Sequence, residues 1–162
     1  MAVGIGYDIH ALKKGRKLIL GGVAIPHLLG LVGHSDGDVL LHAIVDAVLG
    51  ALGAGDIGEH FSDQEAQYRD ADSLVFVRKT LEILTRKKFK IRNIDSTIIA
   101  EDPKLTPYKK SIQENVAKMF GIASLNVNIK AKTNEGFGAV GQKQAIACFA
   151  VVELFKASLN KR

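Results

Sequence analysis

Tryptophan is missing from this chain, cysteine occurs once and proline three times in 162 residues. One cysteine cannot close an internal disulfide, and Cys148 lies in the apolar run 145–152, where it reads as a small buried hydrophobe suited to a reducing compartment. No uninterrupted apolar stretch approaches the ~20 residues needed to cross a bilayer. The start, Met1-Ala2-Val3-Gly4-Ile5, lacks the basic segment and long apolar core of a secretory leader. The expectation is no membrane and a cytoplasmic location, or a plastid one where a transit peptide has been removed. The length predicts a single domain over 1–162.

The net charge of +5 raises the question of nucleic acid. The densest basic cluster, Arg86-Lys87-Lys88-Phe89-Lys90-Ile91-Arg92, ends a helical pattern and opens a strand, where cations suit the helix dipole and solvate an edge. No stacking aromatics beyond Phe89 are interleaved with it, so a nucleic-acid partner is not expected.

Residues 2–9 alternate, with Val3, Ile5, Tyr7 and Ile9 on one face and Gly4, Gly6, Asp8 and His10 on the other, which predicts a strand. Lys17 to Ile25 is a second extended segment broken by Gly21-Gly22 and reads as a bent or hairpin-like stretch. Helical spacing from Asp36 to about Leu52 predicts a helix with Ser35 as N-cap and Asp38 as the capping-box carboxylate. A loop, 53–72, and a helix, 73–87, follow. The remainder reads as a strand at 91–100, a helix from Pro107 to Phe120 capped by Thr106 and closed by Gly121, a strand at 125–131, a loop at 134–141, and a buried final strand from Ala145 to Phe155. The interleaving predicts an α/β (α+β) fold, a mixed sheet with helices packed on one face.

Asp8 and His10, two apart on a strand, share a face with Cα atoms ~6.5–7 Å apart. His42 lies one helical turn from both Asp38 and Asp46. A carboxylate and two imidazoles suit a catalytic zinc with an open fourth position, with Asp38 and Asp46 as candidates to orient the His42 ring. Spacing alone favours a plainer reading, in which Asp8 and His10 end a strand at the surface and His42 is a satisfied core histidine. Two neighbours tilt the balance. His34-Ser35-Asp36-Gly37-Asp38 opens the helix where unpaired amides attract anions, and Lys132-Thr133-Asn134-Glu135-Gly136-Phe137-Gly138 leaves a strand into a glycine-rich nest suited to phosphate, with Glu135 able to hold magnesium.

Taken together, the segments Gly4 to His10, His34 to Asp38 through His42, Gly55-Asp56-Ile57-Gly58, Phe61-Ser62-Asp63, Ala100 to Leu105 with its Pro103-Lys104, and Ala131 to Gly138 resemble the 2-C-methyl-D-erythritol 2,4-cyclodiphosphate synthase family over essentially the whole length. The resemblance implies a bacterial-type homotrimer with active sites shared between subunits, converting a cytidine-diphosphate ester of methylerythritol 2-phosphate into the 2,4-cyclodiphosphate and CMP. It implies that Asp8, His10 and His42 bind Zn2+ and that Glu135 helps place a second ion, Mg2+ or Mn2+. His34 and Thr133 would stabilise the transition state. Asp56, Ile57 and Gly58 would hold ribose; Phe61, Ser62, Asp63 and Glu65 the methylerythritol part; and Ala100, Pro103, Lys104, Leu105 and Thr106 cytosine. Ser35, Lys132, Asn134, Ala139 and Gln142 complete the implied substrate contacts. The chain departs from the family pattern where Ala139 replaces an aromatic, Gln142 an arginine and Gln144 a glutamate, positions that would line a cavity on the trimer axis and bear on isoprenoid diphosphate binding there.

Two rival readings remain at this level. One is a zinc hydrolase of nucleotide diphosphates, in which water rather than the 2-phosphate attacks. The other is a non-catalytic nucleotide-binding module with zinc as a staple, for which His60, read as a surface loop residue, is the only obvious fourth ligand.

Overall fold

In the computed structural model, residues 1–33, 35–61 and 72–157 are described. The predicted alternation forms β1 (Ala2–Lys14), whose first ten residues pair antiparallel with β7 (Ala145–Lys156) and whose end pairs with β4 (Leu29–Leu31). β7 pairs antiparallel with β5 (Phe89–Ile99), which pairs in parallel with β6 (Val127–Lys132), so the five strands run in the order β4-β1-β7-β5-β6. The mixed sheet is the one expected. Lys17 to Ile25 forms a hairpin of β2 (Leu18–Leu20) and β3 (Val23–Ile25), turning at Gly21 and Gly22, both at positive φ.

One face of the sheet carries the helices. α1 (Val39–Ala51) lies on β1 and β7, with α3 (Leu74–Arg86) and α4 (Lys109–Phe120) beside it over β5 and β6. The short helices α2 (Ile57–His60) and α5 (Gly138–Gly141) form inside stretches expected to be loops. α5 is an exception to one-sided packing, since its Val140 covers Ile99, Ala145 and Ala147 on the other face. Gly121 closes α4 at φ 66°, as expected. Thr106 does not cap it; Thr106–Tyr108 is a 3-10 turn leading in, with no side-chain cap bond.

α1 sits closer to the sheet than side chains would allow. A Cβ on Gly4 would fall 2.0 Å from the Ala47 carbonyl oxygen, and one on Gly6 2.0 Å from that of Ala43. Backbone therefore rests on backbone, with α1 antiparallel to β1. Two strand residues advance ~6.6 Å and four helix residues ~6 Å, so the two elements stay in step along their contact.

The opposite face of β1 and β7 corrects an expectation. The final strand is not buried throughout, because Phe149 and Val151 are exposed beside Tyr7 and Ile5, their direct partners on β1. The strand's other side, including Cys148 and Val152, is fully buried under α1. Burial also pushes the Cys148 thiol well above its ordinary range, consistent with a role as a core hydrophobe. The basic cluster is spent as predicted. It spans the α3–β5 turn and the part of β5 that β6 does not flank, with Arg92 paired to Glu153 at 3.2 Å.

Candidate metal centre and active site

The close packing of α1 on β1 brings Asp8, His10 and His42 together. Asp8 Oδ2 lies 2.9 Å from His10 Nε2 and 3.0 Å from His42 Nδ1, and the two ring nitrogens are 3.0 Å apart. Bonds of ~2.0–2.1 Å to a tetrahedral cation imply ligand atoms about 3.3 Å apart, so this triangle fits one face of such a site. A divalent metal suits these three ligands, and they are the one such cluster among the described residues. Burial by itself would raise the Asp8 carboxyl. Hydrogen bonds and charge from His10 and His42 outweigh it and hold the group well below the usual carboxylate range, keeping it an anionic donor.

The groups around His42 differ from those expected. Asp38, not Ser35, is the N-cap of α1, its Oδ1 accepting from Leu41 N–H at 3.1 Å. Its carboxylate also accepts from the Gly21 and Gly22 amides at 2.9 and 2.7 Å, pinning the β2–β3 turn rather than orienting His42. Burial, partly offset by these three amides, raises its pKa to about 6. Asp46 accepts from Ile57 N–H at 3.0 Å and so fixes the start of α2; burial raises its carboxyl as well. Neither carboxylate is bonded to the imidazole, because backbone amides claim both. His42 Nε2 instead meets Ser73 Oγ at 3.0 Å and Ser35 Oγ at 3.1 Å. Ser35 is 2 % exposed, its hydroxyl turned inward onto His42.

His60 is not a fourth ligand. It stands outside the cluster of Asp8, His10 and His42, and its Nε2–H donates to the Ala54 carbonyl at 2.6 Å at the end of α2, so the staple reading lacks its candidate.

The Gly-rich turn lies elsewhere. Ile9, Ala147, Ile99 and Lys132 form one row across four strands, on the face away from α1, so Lys132 is three strand spacings, roughly 14 Å, from β1. Lys132, Thr133, Asn134, Glu135, Ala139 and Gln142 are all exposed there. The Thr133 hydroxyl donates to Glu135 Oε1. The expected phosphate nest is already filled: Glu101 Oε1 accepts from the Asn134 and Gly136 amides at 2.7 and 3.2 Å. Glu101 thereby ties this turn to the segment 100–106, in which Pro103, Lys104 and Thr106 reach solvent while Ala100 and Leu105 are core.

Asp56 caps α2, accepting from Glu59 N–H at 3.0 Å, beside the partly exposed Ile57 and exposed Gly58. Phe61 is taken up by the core, its ring 4.9 Å from that of Phe76. His34, Ser62, Asp63 and Glu65 lie outside the described residues. Ser73, Asp36 and Glu101 carry contacts that their positions in the sequence do not announce.

Residues 1–155 match the sequence model of the YgbB family. The chain belongs to the YgbB family. Within it, the 2-C-methyl-D-erythritol 2,4-cyclodiphosphate synthase of Syntrophomonas wolfei is 50% identical over 157 residues, covering 97% of this chain and 100% of that protein. The synthase of the same name from Clostridioides difficile is 51% identical over 160 residues, covering 99% of each. Among solved structures, IspF from Plasmodium falciparum in complex with CDP matches with a TM-score of 0.85 at 37% identity over 97% of each chain. The metal cluster and the Gly-rich turn of this YgbB chain both fall inside the matched residues. No helix among its described residues is long and apolar enough to cross a membrane.

Proposed function

We propose that this chain, a single domain over 1–162, converts 4-diphosphocytidyl-2-C-methyl-D-erythritol 2-phosphate into 2-C-methyl-D-erythritol 2,4-cyclodiphosphate with release of CMP, as a metal-dependent phosphorus–oxygen lyase of isoprenoid precursor biosynthesis. The observation that carries the proposal is the carboxylate-and-two-imidazole cluster, in a chain half identical over its whole length to synthases of that name.

Asp8, His10 and His42 hold zinc, and Glu135 helps to hold Mg2+ or Mn2+. When bound, these cations supply Lewis-acid neutralisation of the diphosphate charge. The chain's own groups position the substrate. Asp56, Ile57 and Gly58 face the ribose and the 100–106 segment the cytosine, and His34 and Thr133 act on the reacting phosphates, while the buried Ser35 hydroxyl is kept by His42. No side-chain nucleophile is needed, since a phosphate monoester with a second pKa near 6 is largely dianionic at neutral pH. An oxygen of the 2-phosphate forms a bond to the phosphorus esterified to C4, and the bond from that phosphorus to the bridging oxygen breaks. CMP departs with the electron pair.

The working unit is a homotrimer. Its support is the apolar outward face of β1 and β7, with Val3, Ile5, Tyr7, Phe149 and Val151 exposed in the single chain. The gap of roughly 14 Å between β1 and the turn after β6 fits a site completed by a neighbouring copy's turn. Part of the face presented to that copy would be this stripe.

Phosphorus NMR of products formed in heavy-oxygen water tests the reaction. The expected products are the cyclic diphosphate and CMP, both without solvent label. One solvent oxygen on phosphorus per turnover would make the protein a hydrolase. Metal analysis should give about one zinc per chain in the wild type and essentially none in His42→Ala.

A further inference from the structure

Buried behind the metal-facing side of His42 is a hydrogen-bonded group that the proposed reaction does not use. Ser73, fully buried at the start of α3, places Oγ 3.0 Å from His42 Nε2. The same hydroxyl donates to Asp36 Oδ1, and the Ser73 amide donates to Asp36 Oδ2 at 3.2 Å. Asp36 is itself fixed from the other side by the Asp38 amide, which donates to Oδ1 at 3.1 Å.

We infer that Ser73, anchored by Asp36, is the positioning residue for His42: it fixes the imidazole with its proton on Nε2 and its Nδ1 lone pair aimed between Asp8 and His10. The direction of each bond follows from what its partner can do. A carboxylate only accepts, so the Ser73 proton is committed to Asp36. The Ser73 oxygen is then an acceptor towards His42, and Nε2 must be the donor. Ser35 does not compete for the opposite arrangement. Its Oγ accepts from Gly37 N–H at 3.3 Å and has Ser73 Oγ at 3.4 Å as an outlet for its own proton. The reverse tautomer would require Nε2 to accept from a hydroxyl. If that were Ser73, its oxygen lone pairs would be left facing the Asp36 carboxylate. The alternative also places a proton on Nδ1, the atom 3.0 Å from both Asp8 Oδ2 and His10 Nε2, where a metal requires a lone pair. A carboxylate behind a metal-ligating imidazole commonly fixes its tautomer directly; here the Ser73 hydroxyl stands between the two.

This inference rests on the reading of Asp8, His10 and His42 as a zinc site, and the experiment separates the two. Zinc affinity is measured by chelator competition on wild type, Ser73→Ala, Asp36→Ala and Asp36→Asn, with the thermal midpoint of each metal-free protein as a control for folding. His42 ring nitrogen shifts are recorded in zinc-loaded wild type. The expected result is that Ser73→Ala and Asp36→Ala bind zinc ten- to a hundredfold more weakly, while Asp36→Asn, which keeps an acceptor for the hydroxyl, stays within about threefold of wild type. The spectrum should show Nε2 protonated and Nδ1 metal-bound. Recovery of affinity in Asp36→Asn and the protonation state of the two ring nitrogens are readouts that a merely structural role would not move. Should Ser73→Ala fail to fold, the Asp36 pair and the spectrum decide. Unchanged affinity in folded Ser73→Ala and Asp36→Ala, or Nε2 as the metal-bound nitrogen, would overturn the inference alone. A wild type that binds no zinc would overturn the metal-site reading beneath it.

Discussion

Asp8, His10 and His42 project from a strand and a helix whose backbones touch, whereas Thr133, Asn134 and Glu135 project from an exposed turn held by one carboxylate. The two regions solve different problems. A metal site tolerates little variation in ligand spacing, so its donors are set on regular elements locked by packing. An exposed turn is shaped instead by hydrogen bonds that solvent can partly replace. A substitution should therefore be costly at the first region mainly through the fold, and at the second mainly through function.

The largest expected effect tests that contrast with one chemical change at two glycines. Gly6→Ala drives a methyl into the Ala43 carbonyl at 2.0 Å, and neither the helix nor the strand can move without carrying His42 away from Asp8. A loss of at least ~3 kcal/mol is expected, at the upper end of overpacking costs, together with loss of stoichiometric zinc. Gly136→Ala meets nothing within 4 Å and incurs only the strain of its positive φ, 79°. That is about 1–2 kcal/mol, with zinc retained. Urea denaturation and metal analysis measure both. Equal losses at the two positions would remove the distinction.

A smaller effect, on the order of 2 kcal/mol, probes the packed region through pH. Asp38 joins the start of α1 to the β2–β3 turn, and burial raises its pKa from 3.8 to about 6. A carboxyl raised on folding binds its proton more tightly in the native state. Its contribution to stability is therefore full below pH ~4, declines as pH rises through about 6, and is constant above. Asp38→Asn has no such titration. The wild type's stability relative to Asp38→Asn should fall as pH rises from 4 to 6.5 and then level off, as followed by urea unfolding at each pH. A difference that rose with pH over that window would mean that the three amides, not burial, control this carboxylate.

These contrasts also explain what was legible in the sequence. The two-residue spacing of Asp8 and His10 and the polar position of His42 on an apolar helix were readable, because strand and helix periodicities are local. The hairpin at Gly21-Gly22 and the stop at Gly121 were readable for the same reason. The roles of Asp38 and Asp46 were not. A carboxylate one turn from His42 was a reasonable orienting group, but amides from the β2–β3 turn and from α2 reach these side chains first, and those amides are distant in sequence or on another element. Ser73 was legible only as a helix start, and its bond to His42 spans 31 residues. The Gly-rich turn did suggest an anion site; that the anion is Glu101, 33 residues from Asn134, depends on β5 and β6 running side by side.

The smallest effect on the fold, and the sharpest test of the exposed region, is at Glu101. Its Oε1 gathers the Asn134 and Gly136 amides and so sets the conformation of the turn carrying Thr133 and Glu135 relative to the segment 100–106. Truncation in Glu101→Ala removes both bonds, but the freed amides are exposed and water can replace the carboxylate, so the loss of stability should stay within about 1 kcal/mol. Zinc content should not change, since Glu101 follows β5, two strand spacings from β1, and the turn it holds follows β6, three spacings away. Turnover should fall about tenfold, the scale expected when a reacting-phosphate contact is loosened without being deleted. Hydrogen exchange at the Asn134 and Gly136 amides should accelerate in the same variant. Glu101→Gln retains a carbonyl acceptor and should recover most of the activity and protection. Faster exchange at both amides with undiminished turnover would show that the turn does not need to be preset, and that the neighbouring subunit or the substrate itself orders it.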